Sequence, residues 1–299
     1  DSHVRMRRPY TYSDSPVTPP THLIPPLALD HTPDIRLIAC DMDGTLLDDE
    51  GAIHDDFWPL IEQLHARGII FCPASGRQYD SLLERFKPIA DELIFIAENG
   101  TYVVHKGIEL SSDTLNIDDA RAMIRVAREL RKKESGVNQV LCGKRSAYIE
   151  TTDEDFAVEV AKYYSRLELV PDLLAVEDDI LKLALHVATS SEQIIYPAFA
   201  SFGTSHLVAV SGAHWLDIMA PQANKGAGIR HIQERLAISR DQTMVFGDFL
   251  NDLEMMDEAT YAFAMANAHP KLKARASYLA PDNTSNGVVR TIKAVLGLK

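Results

Sequence analysis

Short continuous apolar runs alternate along much of this chain with segments whose apolar positions recur every three or four residues. The run IRLIAC at 35–40 suits a strand buried on both faces of a parallel sheet, and it stops at the polar cluster DMDG. An amphipathic segment at 55–67 predicts a helix, and IIFCPASG at 69–76 predicts a second buried strand. A helix at 79–86 and a third strand in LIFIAENG at 93–100 follow. Strand and helix in alternation, joined by short connections, predict a parallel sheet covered by helices, in which ligands sit beyond the carboxyl ends of the strands.

The texture changes after Gly100. TYVVHKG and IELSS, together 101–112, read as a hairpin that opens a new unit, and a charged helix at 117–134 follows. Strands at 139–142, 147–151, 180–188 and 206–212, with helices at 154–165 and 191–202, complete an α+β unit inserted in the first. The alternation then resumes with a helix at 225–236, the strand TMVFG at 243–247, a helix at 250–258, the strand YAFAM at 261–265 and a terminal helix at 288–296. The predicted organisation is an extended Pro-rich arm at 1–33, an α/β core at 34–107 with 216–299, and the α+β insertion at 108–215. No internal repeat or coiled-coil heptad is present.

Composition fits this picture: 299 residues exceed what one compact core usually holds, and 46% hydrophobic with 24% charged is ordinary for globular chains. The net charge of −13 argues against a broad footprint for nucleic acid or an anionic membrane, so an anionic ligand has to be held by local positive charge. No apolar run approaches the roughly 20 residues that span a bilayer. Cys40, Cys72 and Cys142 form no spaced framework, and a soluble, cytoplasmic protein is the expectation.

Candidate chemistry begins at Asp41 and Asp43, two carboxylates one residue apart that leave a buried strand and enter a turn permitted by Gly44. A divalent cation set between them and a phosphate would relieve their repulsion, leaving one carboxylate to attack phosphorus and the other to handle the leaving-group proton. Alone, the pair reads better as an Asx-rich turn that merely caps the strand, and only the further motifs shift the balance towards chemistry. Ser75 and Gly76, at the end of the second run, offer a hydroxyl and a close backbone N–H to a phosphate oxygen, with Arg77 completing the sequence SGR. Lys225, in NKG at a helix start, could neutralise a nucleophile and a phosphoryl group. Asp248, Asn251 and Asp252, in GDFLND after another buried strand, supply further oxygen ligands for a hard cation.

The order DMDGTLL, ASGR, NKG, GDFLNDLEM, with an α+β insertion between the second and third, resembles the haloacid dehalogenase superfamily, and more narrowly its Cof-type phosphatases with a type IIB cap. AENGTYVV, WLDIMAPQANKGAGI and MANAHPKLKARASYLAPDNTSNGVVRTI extend the likeness from about 34 to 299. The resemblance implies a Rossmann-like core, a cap that closes over a small phosphorylated metabolite, and Mg2+ as cofactor. It implies that Asp41 forms an aspartyl-phosphate while Asp43 protonates the leaving group and then activates water. Asp248 would hold the metal with Asp41 and the main-chain carbonyl of Asp43, with Asp252 nearby. Ser75, Lys225 and Asn251 would hold phosphoryl oxygens, with Gly44 and Gly76 providing backbone approach. Lys144 and Arg145, in a turn of the insertion, are candidates for substrate selection. Sugar phosphates lead the expected substrates, with pyridoxal phosphate and flavin mononucleotide as others. A phosphomutase or phosphotransferase, and a non-catalytic ligand sensor on the same fold, stand as alternatives. Phe249 departs from the polar residue common at its position, and packing is its expected role.

Overall fold

The structure is a computed structural model that describes residues 29–150 and 154–299; residues 1–28 of the expected arm lie outside them. The chain begins with β1 (Leu37–Cys40), α1 (Phe57–Ala66), β2 (Ile70–Pro73), α2 (Tyr79–Arg85), β3 (Ile94–Ala97), β4 (Tyr102–His105) and β5 (Ile108–Ser112). The insertion supplies α3 (Ile117–Lys133), β6 (Asn138–Gly143), β7 (Ala147–Glu150), α4 (Glu154–Val160), β8 (Leu167–Val170), β9 (Ile180–His186), α5 (Tyr196–Phe199), β10 (Leu207–Val210) and β11 (Trp215–Met219). The chain ends with α6 (Lys225–Leu236), β12 (Thr243–Gly247), α7 (Leu253–Asp257), β13 (Tyr261–Met265), α8 (Pro270–Arg275), β14 (Tyr278–Ala280) and α9 (Gly287–Leu296).

The core sheet has the order β14-β13-β12-β1-β2, all parallel, with β1 in the middle. A parallel bridge between Ala74 and Ile96 brings β3 alongside, and β4 and β5 continue antiparallel from it. Every residue of β1, β12 and β13 is buried, as continuous apolar strands with covered faces must be. On α1 the buried Phe57, Leu60, Ile61 and Leu64 repeat at helical spacing, and Phe57 packs edge-on against Phe71 of β2 at 5.2 Å.

The inserted unit is a six-stranded sheet, β10-β11-β9-β6-β7-β8, antiparallel except where β7 meets β8. Ala120, Met123, Ile124 and Ala127 of α3 cover one face, against Leu141, Leu183, Leu185, Leu216 and Ile218. On the other face Phe156, Val160 and Tyr164 pack on Val140, Cys142, Ile149 and Ala184. The Asn116 side chain caps α3 by accepting the N–H groups of Asp118 and Asp119, and Arg131, Lys132 and Lys133 complement its carboxyl end. The charged run of this helix is not all solvated: Arg128 donates to Glu150 at 2.7 Å and to Asp172 at 2.8 Å.

Strand pairing moves both predicted boundaries. β5 pairs with β4, so the hairpin belongs to the core, and β11 pairs with β9 and β10, so it belongs to the insertion. The units divide at 112/113 and 223/224, where the sequence pattern predicted 107/108 and 215/216. Two predicted helices shorten: α4 stops at Val160, and the segment at 191–202 breaks into short turns around α5, whose Pro197 has no N–H to donate. Among the described residues no helix is long and apolar enough to cross a membrane.

Candidate active site

β1 delivers Asp41 to the carboxyl edge of the sheet, and the next residues turn at once. Asp43 (φ −68°, ψ 126°) and Gly44 (φ 76°, ψ 0°) are the central pair of a type II turn, whose second central position takes glycine. A second constraint acts on Gly44: a Cβ there would stand 2.2 Å from Oδ2 of Asp248. The turn returns the Thr45 hydroxyl to 3.1 Å from Oδ2 of Asp41 and 3.1 Å from Oδ1 of Asp248.

The other oxygen of Asp41 accepts from Nζ of Lys225 at 2.6 Å, and the same ammonium donates to Oδ1 of Asp252 at 2.7 Å. Lys225 is fully buried, and burial works against its charge, but the carboxylates of Asp252 and Asp41 outweigh it and raise its pKa. Oδ2 of Asp252 accepts the N–H groups of Asp248 at 2.9 Å and Phe249 at 3.2 Å, which fixes the turn after β12. Asp41, Asp248 and Asp252 can each bring an oxygen within 4.8 Å of the others. Three carboxylates thus lie around one ammonium, which pairs with Asp41 and Asp252; with all three ionised the cluster would carry a surplus of two negative charges. Burial, then repulsion from Asp41 and Asp252, pushes the Asp248 carboxyl well up, and burial followed by Asp41 raises Asp252. Such a site, rich in anionic oxygen and short of positive charge, fits a hard divalent cation.

β2 runs beside β1, and the Ala74 N–H donates to the Cys40 carbonyl at 2.8 Å, which places Ser75 at the same edge. Ser75 is buried, and its Oγ accepts the Arg77 N–H at 3.0 Å. Arg77 then grips Asp43 with both arms of its guanidinium, Nε to Oδ2 at 2.8 Å and Nη2 to Oδ1 at 2.7 Å. Burial works to raise the Asp43 carboxyl, but the Arg77 hydrogen bonds and charge, with Arg85 and Lys225 behind them, hold it below the ordinary range. Asn99, left-handed at φ 58°, accepts from Nδ2 of Asn251 at 3.1 Å and lies against Gly76, where a Cβ would meet its Oδ1 at 3.1 Å.

The structure therefore gathers Asp41, Asp43, Gly44, Ser75, Gly76, Lys225, Asp248, Asn251 and Asp252 in the core unit, linked by these contacts. Thr45, Arg77 and Asn99 join them without a role read from sequence, although all three stood within the quoted motifs. Lys144 and Arg145 lie in the inserted unit, in the β6–β7 turn. There Arg145 engages Asp178, Nε to Oδ1 at 3.5 Å, and the carbonyl of Glu177. Phe249 packs edge-on against His269 at 5.8 Å. His186 packs against Trp215 in a tilted contact, with ring centroids 4.7 Å apart, and burial lowers its pKa, as suits a packed histidine. Cys40 and Cys72 are buried thiols that burial raises away from reactivity.

Comparison with known proteins agrees with this geometry. A profile of haloacid dehalogenase-like hydrolases matches residues 38–292. The 5-amino-6-(5-phospho-D-ribitylamino)uracil phosphatase of Escherichia coli is 36% identical over 88% of this chain and 96% of its own. An enzyme of the same name from Bacillus subtilis is 27% identical over 87% of this chain and 95% of its own. A solved Streptococcus mutans protein superposes with TM-score 0.80 at 30% identity, over 88% of this chain and 99% of that one. A sugar phosphatase of subclass IIB shares the fold at TM-score 0.74 and 20% identity, over 86% and 98%. With a family profile spanning both halves of the core and a 36% identical relative aligned almost end to end, the chain belongs to the haloacid dehalogenase-like hydrolase family.

Proposed function

We propose that this chain is a magnesium-dependent phosphatase that frees phosphate from a small phosphorylated metabolite through an aspartyl-phosphate on Asp41. The observation that carries the reading is the setting of the Asp41 carboxylate. It is held between the Lys225 ammonium and the Thr45 hydroxyl at the exit of a buried strand, with Asp43 two residues on. In the first step an Asp41 oxygen bonds to phosphorus as the ester P–O bond breaks, and Asp43 gives the departing oxygen a proton. In the second, Asp43 takes a proton from the water that opens the aspartyl-phosphate. The Arg77 fork favours the ionised Asp43 needed then; an arriving phosphate dianion acts the other way and raises its proton affinity for the first step.

The Ser75 hydroxyl, the Lys225 ammonium and the Asn251 amide are assigned to the phosphoryl oxygens, with Gly44 and Gly76 allowing close backbone approach. Phosphoryl transfer draws most of its acceleration from such positioning and charge neutralisation. Magnesium, held by Asp41, Asp248 and the main-chain carbonyl of Asp43 with Asp252 beside them, would offset the surplus negative charge of the cluster and of the phosphate.

The substrate class that leads is a sugar-type phosphomonoester. It is supported by relatives named for a phosphorylated ribityl chain. Lys144 and Arg145 are the side chains of the insertion assigned to a second polar or anionic group on it. The test is phosphate release from a panel holding a phosphoribitylamino pyrimidine, hexose phosphates, pyridoxal phosphate and flavin mononucleotide, with magnesium and with chelator. Release that needs magnesium and vanishes in Asp41→Asn supports the reading. Undiminished turnover in that variant overturns it, and an isomeric phosphosugar in place of free phosphate assigns the chain to transfer instead.

A further inference from the structure

Two asparagines that this scheme leaves unused stand just beyond the last two strands of the core. Asn267 follows β13, and Asn283 follows β14. Nδ2 of Asn267 donates to the Gly44 carbonyl at 2.8 Å, and its Oδ1 accepts the Asn283 N–H at 3.1 Å. Nδ2 of Asn283 donates to the Leu47 carbonyl at 3.0 Å and to Oδ1 of Asp49 at 3.2 Å, and its own carbonyl lies 3.0 Å from Nε2 of His54. The orientation of both amides is forced, because a carbonyl or carboxylate can only accept here and a backbone N–H can only donate. The turn after β1 is thus tied at Gly44 and again at Leu47 by side chains from the far end of the chain.

The turn needs such ties. Gly44 must lack a side chain, both for its positive φ and because Asp248 occupies the space a Cβ would take. A glycine, however, leaves its flanking peptides free to rotate, with no side chain of its own to pack and hold them. Asp43 presents an exposed surface and Gly44 is half-buried, so apart from the Arg77 fork on the Asp43 carboxylate, packing does little to hold this peptide. Thr45, across the next peptide, must keep its hydroxyl 3.1 Å from two carboxylates. The Asn267 amide grips the peptide that joins Gly44 to Thr45.

We propose that Asn267 and Asn283 are positioning residues for the phosphatase reaction, their relay fixing the Gly44 peptide and so aiming Asp43 at the leaving oxygen. The proposal rests on the assignment of Asp43 as the acid. Asn267→Asp keeps the shape of the side chain, removes its donor and turns an oxygen towards the Gly44 carbonyl; Asn267→Ala removes the amide outright. The quantity to measure is kcat/KM, which reports the steps through phosphoenzyme formation. It is taken for an alkyl phosphate, whose leaving oxygen needs a proton, and for p-nitrophenyl phosphate, whose leaving group departs as an anion.

In both variants the alkyl ester is expected to lose about tenfold or more and the aryl ester less than about threefold, the selectivity of a misaimed general acid. Asn267 is exposed, so the melting temperature is expected to stay close to that of the parent. Equal losses on the two esters, or no loss on either, overturn the proposal. Parent activity that persists in Asp41→Asn defeats the underlying reading instead. Asp41-dependent turnover with no ester selectivity in the Asn267 variants defeats the relay alone.

Discussion

Lys225→Met keeps most of the aliphatic stem and removes the ammonium, leaving Asp41 and Asp252 buried without their shared cation. Breaking a buried pair from one side costs about 3–5 kcal/mol, so urea unfolding of the metal-free variant is expected to shift by that amount, with phosphate release lost. Adding Asp252→Asn should restore part of the stability, because the three groups form one network; simple additivity would contradict the shared role. A second test concerns Arg77. Arg77→Gln takes the guanidinium fork from Asp43, whose carboxyl then rises towards its ordinary value, so the acidic limb of kcat against pH should move to higher pH. An unmoved limb would mean that Asp43 does not set it. At this scale the sequence was most readable where a polar residue ends a buried run, since Asp41, Ser75 and Asp248 all stand at such exits. Thr45, Arg77, Asn99 and Asn267 were opaque for a common reason. Each looks like an ordinary turn residue until the fold supplies its partner, and for Asn267 that partner is 223 positions away.

The element that brings Lys225 to the carboxylates is α6, and its first turn is held by two local devices. Asn224 caps it by accepting the Ala227 N–H at 2.8 Å, a bond whose loss in Asn224→Ala is expected to cost about 1 kcal/mol. Gly100, at φ 98°, lies so close that a Cβ would stand 2.0 Å from the Asn224 carbonyl. Gly100→Ala must push the start of α6 away or distort the turn after β3, and a loss of about 3 kcal/mol with a fall in activity is expected. Denaturant unfolding with parallel assays checks both variants; a neutral Gly100→Ala would show that the two backbones can part freely. Elements with long apolar periodicity, such as α1, α3, α6 and the buried strands, were legible because burial and local pattern agree. Most of the elements missed were short or wet; β11, with four of its five residues buried, was missed as well, because its apolar residues were read as the return to the core. β8 is an edge strand whose residues are at best half-buried, β14 has three residues, and neither carries enough pattern to separate it from a loop. The hairpin β4–β5 was seen as a hairpin, but the predicted boundary at 107/108 cut through it and gave β5 to the insertion, since strand partners are chosen by the sheet and not by the strand's own residues.

For the whole molecule the decisive quantity is the unbalanced charge in one of its two units. Raised pKa values at Asp248 and Asp252 mean that these carboxyls hold protons more tightly folded than unfolded when no metal is bound. Their stabilising contribution is therefore complete below the ordinary carboxylate range and is lost as pH rises through the raised values. Magnesium needs the ionised forms, so binding should release protons and cancel that loss. The melting temperature in excess magnesium, minus that in excess chelator, is accordingly expected to widen with pH between about 5 and 9. Calorimetry in buffers of different ionisation enthalpy should register the proton release. Hydrogen exchange should gain protection at β1, at the start of α6 and at the turn after β12. Residues 113–223 have a separate core, and among the described residues the acidic cluster lies wholly outside them, so their exchange should not follow the metal. A gap that narrows as pH rises, or protection that appears first in the insertion, would place the cation elsewhere than at Asp41, Asp248 and Asp252.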